Sequence, residues 1–275
     1  MKIKHQKLIL LLMSLSFMGC QLKNSGEITE IETPVFEKIL DSFQLKGSIL
    51  IYNNAGNSYF SNDFSWAKER NLPASTFKIP NSIIAIETGI IQSDTTLLKW
   101  DGQKRRLPVW EQDLTFKKAF QVSCVPCYQE IALKIGTARM KEYLDKFGYH
   151  EMIFDSATLD KFWLEGDSKI SQFEQISFLK RFYFSELPVS ERTVKIVKNI
   201  MEVEKTDAFT FSGKTGWGMR SGKNNGWYVG FLETKHNVYF FATNVVPKEG
   251  LNIANFAAAR TDATRAAFKS LGLME

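Results

Sequence analysis

The chain has 275 residues, of which 44% are hydrophobic, including 22 Phe. That composition fits a large buried core and excludes a disordered chain. The formal net charge is +5, with Lys2, Lys4 and Lys7 among its sources. No basic run reaches five residues, which argues against a nucleic-acid-binding surface.

Residues 1–19 read as a signal peptide. A basic start (Met1 to Lys7) precedes an apolar run from Leu8 to Met18 that is too short to span a bilayer. Phe17-Met18-Gly19-Cys20 resembles a lipoprotein cleavage signal, which makes Cys20 a candidate lipidation site and lipid-mediated membrane attachment an expectation. Ordinary cleavage is the alternative. Residues 20–32 are polar and are expected to form a tether, with a single catalytic domain over 33–275. These features predict an exported, periplasmic bacterial protein.

Lys46 to Tyr52 reads as a strand followed by an Asn53-Asn54-Ala55-Gly56 turn, with Tyr59-Phe60 beginning its partner. Ser75 is expected to open a helix that Gly89 terminates. Pro80 lies inside that helix and predicts a distorted first turn. Phe116 to Gln121 is a short helix leading to Ser123. Cys127 to Phe147 reads as one long amphipathic helix. Ser171-Gln172-Phe173-Glu174 is a capping box for a further helix, and Val189 to Val203 is another.

Beyond residue 205 the period shifts to that of strands. Ala208 to Gly213 alternates, and Lys214-Thr215-Gly216 follows on an expected edge strand. Asn224-Asn225-Gly226 marks a hairpin turn, and Trp227 to Leu232 and Val238 to Val246 read as paired strands. Asn252 to Leu271 is a C-terminal helix. The predicted class is α+β: an antiparallel sheet flanked by terminal helices, with a helical half inserted over about residues 90–205.

The chemistry centres on Pro73-Ala74-Ser75-Thr76-Phe77-Lys78-Ile79-Pro80. A serine hydroxyl needs a base to become a useful nucleophile, and Lys78 is one helical turn away. The Ser75 backbone N–H, near a helix N-terminus, is placed to stabilise an oxyanion. A lysine acts as a base only when neutral, which burial favours. Phe77, Ile79, Val125, Trp163 and Leu164 are candidates for that apolar cover. A buried neutral lysine is also open to modification by carbon dioxide. Ser123 is a candidate proton relay, Lys214 and Thr215 a carboxylate-binding pair, and Gly216 a place for substrate backbone to approach. Taken singly, Ser75 reads as a helix cap and Lys78 as a surface lysine; the ordered set of three motifs argues against both.

Cys-Val-Pro-Cys at Cys124 and Cys127 lacks the strand-to-helix setting of a thioredoxin-like motif. Two packed thiols or a short disulfide are the remaining readings. His5, His150 and His236 have no metal-ligand spacing, so no metal is expected.

In these motifs, together with Gln121-Val122-Ser123-Cys124-Val125-Pro126, Phe162-Trp163-Leu164-Glu165-Gly166 and Ser212-Gly213-Lys214-Thr215-Gly216, the sequence resembles the penicillin-recognising serine enzymes, and within them the class D serine β-lactamases. The resemblance runs from about Ile49 to the end. It implies hydrolysis of β-lactams such as penicillins, with the turnover of carbapenems left open. Ser75 is then the acylated nucleophile, and Lys78, as N6-carboxylysine, is the general base for acylation and deacylation. No cofactor is implied beyond carbon dioxide or bicarbonate. Trp163 would hydrogen-bond the carbamate beneath a lid of Val125 and Leu164. The Ser75 and Trp217 N–H groups would form the oxyanion hole. Ser123 and Lys214 would pass a proton to the lactam nitrogen, and Thr215 and Arg260 would bind the substrate carboxylate, with Arg265 the competitor for Arg260.

Two positions depart from the family pattern. Phe147-Gly148-Tyr149 stands where Tyr-Gly-Asn is usual, and Cys124 and Cys127 replace small or apolar residues. The alternatives are a β-lactam sensor or a penicillin-binding protein that acylates and turns over slowly, and a non-enzymatic surface lipoprotein.

Overall fold

The computed structural model describes residues 27–220 and 222–274. The expected signal peptide and Cys20 lie outside them. The N-terminal part runs β1 (Thr29–Glu32), α1 (Pro34–Ser42), β2 (Leu45–Asn53), β3 (Ser58–Ser61) and α2 (Phe64–Lys68). A 3-10 turn at Ala74–Phe77 leads into α3 (Lys78–Glu87). The middle holds β4 (Leu97–Leu98), β5 (Leu114–Thr115), α4 (Phe116–Gln121), α5 (Val125–Ile135), α6 (Thr137–Phe147), α7 (Gln172–Tyr183) and α8 (Glu191–Met201). The chain then returns through β6 (Glu202–Lys205), β7 (Phe209–Arg220), β8 (Lys223–Thr234), β9 (Val238–Pro247) and α9 (Phe256–Ser270).

These strands form a seven-stranded sheet in the order β1-β3-β2-β9-β8-β7-β6. Neighbours are antiparallel except β1 and β3, which are parallel. The period of two along β2 divides its side chains between two cores. Ile49 and Ile51 join Phe36, Phe256 and Phe268 on the side of α1 and α9. Leu50 and Tyr52 join the larger cluster of the helical half, with Phe77, Trp163 and Phe182. The result is the expected α+β class, in three layers, with the Ser75–Lys78 and Lys214–Gly216 motifs where sheet and helical half meet.

Five expectations need correction. Thr29–Glu32, assigned to the tether, is the edge strand β1, paired with β3 through Thr29↔Ser58 to Glu32↔Ser61. The long helix at Cys127–Phe147 is two helices, α5 and α6. They are divided at Gly136, whose φ of +82° is a left-handed value that ends α5 and that glycine adopts without a Cβ penalty.

Ser75 does not open α3; it sits in the 3-10 turn before it. Pro80 therefore falls in the first turn of α3, where its missing N–H would have had no intrahelical partner.

The hairpin predicted at Asn224-Asn225-Gly226 turns instead between Arg220 and Lys223, with Gly222 at φ +73°. Asn224–Gly226 lie within β8, paired with Met219–Trp217. The turn-like composition there has other uses. Asn224 Oδ1 accepts from Trp217 Nε1 at 2.9 Å, and a Cβ on Gly226 would lie 2.6 Å from the Phe256 ring.

Finally, β7 is an edge strand only in part. β6 covers it as far as Ser212, so its edge opens from Gly213 onward, and there the nucleophile turn packs.

Candidate active site

The turn that carries Ser75 is held from several sides. Leu72 O accepts from Trp227 Nε1 of β8 at 2.9 Å, and Asn71 and Ile170 exchange backbone hydrogen bonds at 2.9 Å. Ala74 lies at φ +50°, a left-handed conformation that costs a residue with a Cβ about 1–2 kcal/mol. Such a residue persists where its surroundings fix it. Here Thr76 Oγ1 donates to Pro73 O at 2.7 Å and accepts from Gln175 Nε2 at 2.9 Å, while Tyr149 Oη donates to Gln175 Oε1 at 3.3 Å. Burial among aromatic rings keeps the Tyr149 hydroxyl protonated far above the usual phenol range. The departure from the family pattern at Tyr149 thus begins a hydrogen-bond chain ending beside Ser75. Gln175 has no motif of its own, and only the three-dimensional pairing reveals it.

Lys78 Nζ lies 2.9 Å from Ser75 Oγ. Lys78 is fully buried, and among the described residues it has no carboxylate partner. Desolvation alone lowers its pKa from 10.5 to about 7, so a large share of the amine is neutral near neutral pH. The ring of Tyr128 lies 5.2 Å from Nζ. Phe77 packs beneath the pair, stacked on Trp163 at 5.3 Å between ring centroids.

Trp163 is fully buried, and its indole Nε1 has no hydrogen-bond partner among the described residues. An unpaired buried donor is costly and unusual in a native core. Leu164 is half-buried against the same cluster, and Val125 lines the cavity with Ser75. The buried neutral amine and the orphaned indole donor fit a lysine that carries an added acceptor group.

A cavity of about 560 Å³ opens in front of Ser75 and is lined by Ser123, Val125, Thr215, Trp217 and Arg260 among others. Ser123 stands at φ +55° between α4 and α5. Lys214 is buried. Its pKa is held well below the usual lysine range by desolvation, then by Lys78 and Arg260. Lys214 Nζ donates to Thr215 O at 2.9 Å rather than to Ser123. Lys214 lines a second cavity, whereas Ser123 lines the one in front of Ser75; Thr215 belongs to both. Gly216 is the point of closest approach: a Cβ there would lie 3.0 Å from Pro73 O and 3.2 Å from Thr76 N.

The two arginines separate clearly. Arg260 is buried at the cavity wall beside Trp217 and Phe256, and its Nε and one terminal nitrogen have no partner among the described residues. Burial pulls its pKa down to about 10. Arg265 is engaged by Glu204 at 2.7 Å. It lines the second cavity, of about 400 Å³, together with Lys214 and Thr215. Of the two, Arg260 is the one that lines the cavity in front of Ser75 and has no ion pair among the described residues.

Cys124 and Cys127 form a disulfide, which settles the two readings of that pair. The sequence also gave no signal for Trp110 and Arg106 at the cavity rim, which sit in an irregular segment without periodicity.

A sheet backed by terminal helices, with a serine one turn ahead of a buried lysine and a Lys-Thr-Gly strand across the cleft, defines a penicillin-binding type of serine acyl-transfer domain. The family pattern for the penicillin binding protein transpeptidase domain matches residues 45–268. Within that group, the chain belongs to the class D β-lactamases. It is 39% identical to β-lactamase OXA-10 of Pseudomonas aeruginosa over 224 residues, covering 80% of this chain and 83% of that one. Identity to β-lactamase OXA-48 of Klebsiella pneumoniae is 42% over 201 residues, 73% of this chain and 75% of the relative. The crystal structure of a class D β-lactamase from Sebaldella termitidis superposes with a TM-score of 0.86 at 36% identity, over 91% of this chain and all of that one.

Proposed function

We propose that this chain hydrolyses β-lactam antibiotics through an acyl-enzyme on Ser75, with Lys78 carboxylated by carbon dioxide as the general base. The observation that carries the reading is the fully buried, unpaired Lys78, 2.9 Å from Ser75 Oγ, in a core that also holds the orphaned Trp163 Nε1. The neutral amine adds carbon dioxide and releases a proton, and Trp163 donates to the carboxylate so formed. Val125 and Leu164 shield it from water.

In acylation the Ser75 proton passes to the Lys78 carboxylate as Oγ bonds to the lactam carbonyl carbon. The Ser75 and Trp217 N–H groups receive the oxyanion. The carbon–nitrogen bond then breaks, and Ser123 with Lys214 delivers the proton the leaving nitrogen takes up. In deacylation the same base draws a proton from water, which attacks the ester and frees Ser75. Thr215 and Arg260 hold the substrate carboxylate, and Gly216 leaves room for the substrate along β7. No metal or organic cofactor takes part. The basic, apolar leader and Cys20 support export to the periplasm and attachment through a lipid.

The test is turnover of a panel of penicillins and carbapenems by purified protein, with acyl-protein mass spectrometry. Rapid turnover through a transient adduct on Ser75 supports the proposal. A long-lived adduct would mark a sensor or a penicillin-binding protein, and no adduct a binding protein without catalysis.

A further inference from the structure

The Cys124–Cys127 bond adjoins two residues that line the cavity in front of Ser75. Ser123 immediately precedes it, and Val125 is inside the short loop it closes. Up to Cys124 the segment is held by hydrogen bonds. Ser123 N donates to Phe120 O at 3.1 Å and Cys124 N to Ala119 O at 2.8 Å, while Trp110 Nε1 donates to Val122 O at 3.0 Å. Past Cys124 the chain turns into α5 through Val125 and Pro126, where the proline has no N–H to contribute. Across that turn Tyr128 N donates to Cys124 O at 3.4 Å, and the remaining ties come from the two cysteine sulfurs. Cys127 N donates to Cys124 Sγ at 3.3 Å, and the disulfide joins the same pair. Cys124 is fully buried against Leu114 and Ala119, and Cys127 and Trp110 pack on that cluster.

The cysteine pair is thus the covalent tie at the entry to α5. It closes the loop that carries Val125 and follows directly on the left-handed backbone of Ser123 at φ +55°. A residue with a Cβ keeps such a backbone only where its neighbours over-determine it.

We propose that the Cys124–Cys127 disulfide is a positioning staple for catalysis, fixing Ser123 and Val125 at the cavity wall beside Ser75. This rests on the proposed carboxylation of Lys78 for one of its two consequences. With the staple open, Ser123 is misplaced for proton delivery and turnover falls. Val125 also covers the Lys78 carboxylate less well, so carbon dioxide is held less tightly. Opening it takes two electrons and two protons from a dithiol such as dithiothreitol; the sulfur–sulfur bond breaks, two thiols form and the dithiol closes to its own disulfide.

The experiment compares oxidised protein, protein reduced under native conditions with two thiols confirmed by titration, and the double variant Cys124→Ala/Cys127→Ala. Turnover of a penicillin is followed across a bicarbonate series. The staple predicts a fall in kcat of about tenfold on reduction, in line with the sensitivity of catalysis to small displacements. It also predicts a severalfold rise in the bicarbonate needed for half-maximal activity. Reoxidation restores both, and the double variant matches the reduced protein and ignores dithiothreitol. Fully reduced protein with unchanged kcat overturns the proposal, even if its melting temperature falls. Should the double variant fail to fold, the reduced protein decides. If the oxidised protein shows no response to bicarbonate, the carboxylation reading fails by itself, and the ratio of kcat between oxidised and reduced protein still judges the staple.

Discussion

The 2.9 Å contact between Lys78 Nζ and Ser75 Oγ sets an amine of lowered basicity against a serine hydroxyl, with no carboxylate paired to that amine among the described residues. Burial works against the charged form here, so the pH dependence has a definite sign. The folded pKa of unmodified Lys78 is about 7, below the ordinary 10.5. Between those values the unfolded chain binds the extra proton, and stability rises with pH across that window. Below about pH 7 the folded amine is largely protonated and cannot add carbon dioxide. Activity should therefore fall as pH drops through that value, and added bicarbonate should recover part of the loss just below it. Lys78→Ala should lose essentially all turnover. A pH–rate series with and without bicarbonate checks this, and a profile that ignores bicarbonate throughout would refute the carboxylated base.

The orphaned indole of Trp163 sharpens the same point. Trp163→Phe removes the Nε1 donor and retains an aromatic ring to pack on Phe77 and Phe162. In the unmodified lysine state that donor has no partner, so its removal should leave stability little changed apart from the smaller ring. If the donor serves the Lys78 carboxylate, the variant should need much more bicarbonate and lose about 10–100-fold in kcat at ambient carbon dioxide, as expected when a donor to a catalytic anion is lost. Carbon-13 NMR of protein equilibrated with labelled bicarbonate should show a weakened carbamate signal. Equal signals in the two proteins would remove Trp163 from this role.

The residues legible in the sequence are those whose chemistry is local. Ser75 and Lys78 are one turn apart, the Ser171 capping box closes within four residues, and Lys214-Thr215-Gly216 is contiguous. Their spacing survives almost any tertiary arrangement. What the sequence hid depends on partners far along the chain. Gln175 matters because it meets Thr76, 99 positions away. The composition of Asn224-Asn225-Gly226 signals a turn. Tertiary packing overrides it, since Gly226 is small to admit Phe256 and Asn225 bonds Asn244. Gly136 inside an amphipathic period reads as a tolerated interruption, because the period continues on both sides while the backbone reverses its φ. Which of two helical arginines lines the cavity depends on distant partners as well: Glu204 engages Arg265, and Arg260 stands at the cavity wall.

Arg260 illustrates a conflict between stability and function. Its guanidinium is buried with two nitrogens unpartnered among the described residues, and desolvation lowers its pKa to about 10. An uncompensated buried charge destabilises the empty enzyme. Arg260→Met retains an unbranched stem against Trp217 and Phe256 and removes the charge. The variant should raise KM for a penicillin by about tenfold or more, since a charge-assisted bond to the substrate carboxylate is lost. It should also melt a few degrees higher, because about 1 kcal/mol shifts Tm by about 2–4 °C in a domain of this size. Thermal melts alongside steady-state kinetics read both effects. A lower melting temperature with unchanged KM would mean that Arg260 serves packing and not the ligand.

Gly216 is where the sheet comes nearest the nucleophile. A Cβ at this position would lie 3.0 Å from Pro73 O, 3.1 Å from Thr76 Cγ2 and 3.2 Å from Thr76 N. Two of these are backbone atoms of the turn that carries Ser75, and that turn is already constrained by the left-handed Ala74. It can yield a few tenths of an ångström only by moving Ser75 Oγ relative to Lys78 Nζ. Gly216→Ala should therefore lower the acylation rate by about 10–100-fold, because small misplacements of reacting groups are costly. The loss in stability should be modest, about 1–3 kcal/mol for overpacking. Presteady-state acylation separates this from a general loss of fold. A variant that melts lower and acylates at the normal rate would show that the turn gives way elsewhere and that the close approach of β7 is not what sets the Ser75–Lys78 geometry.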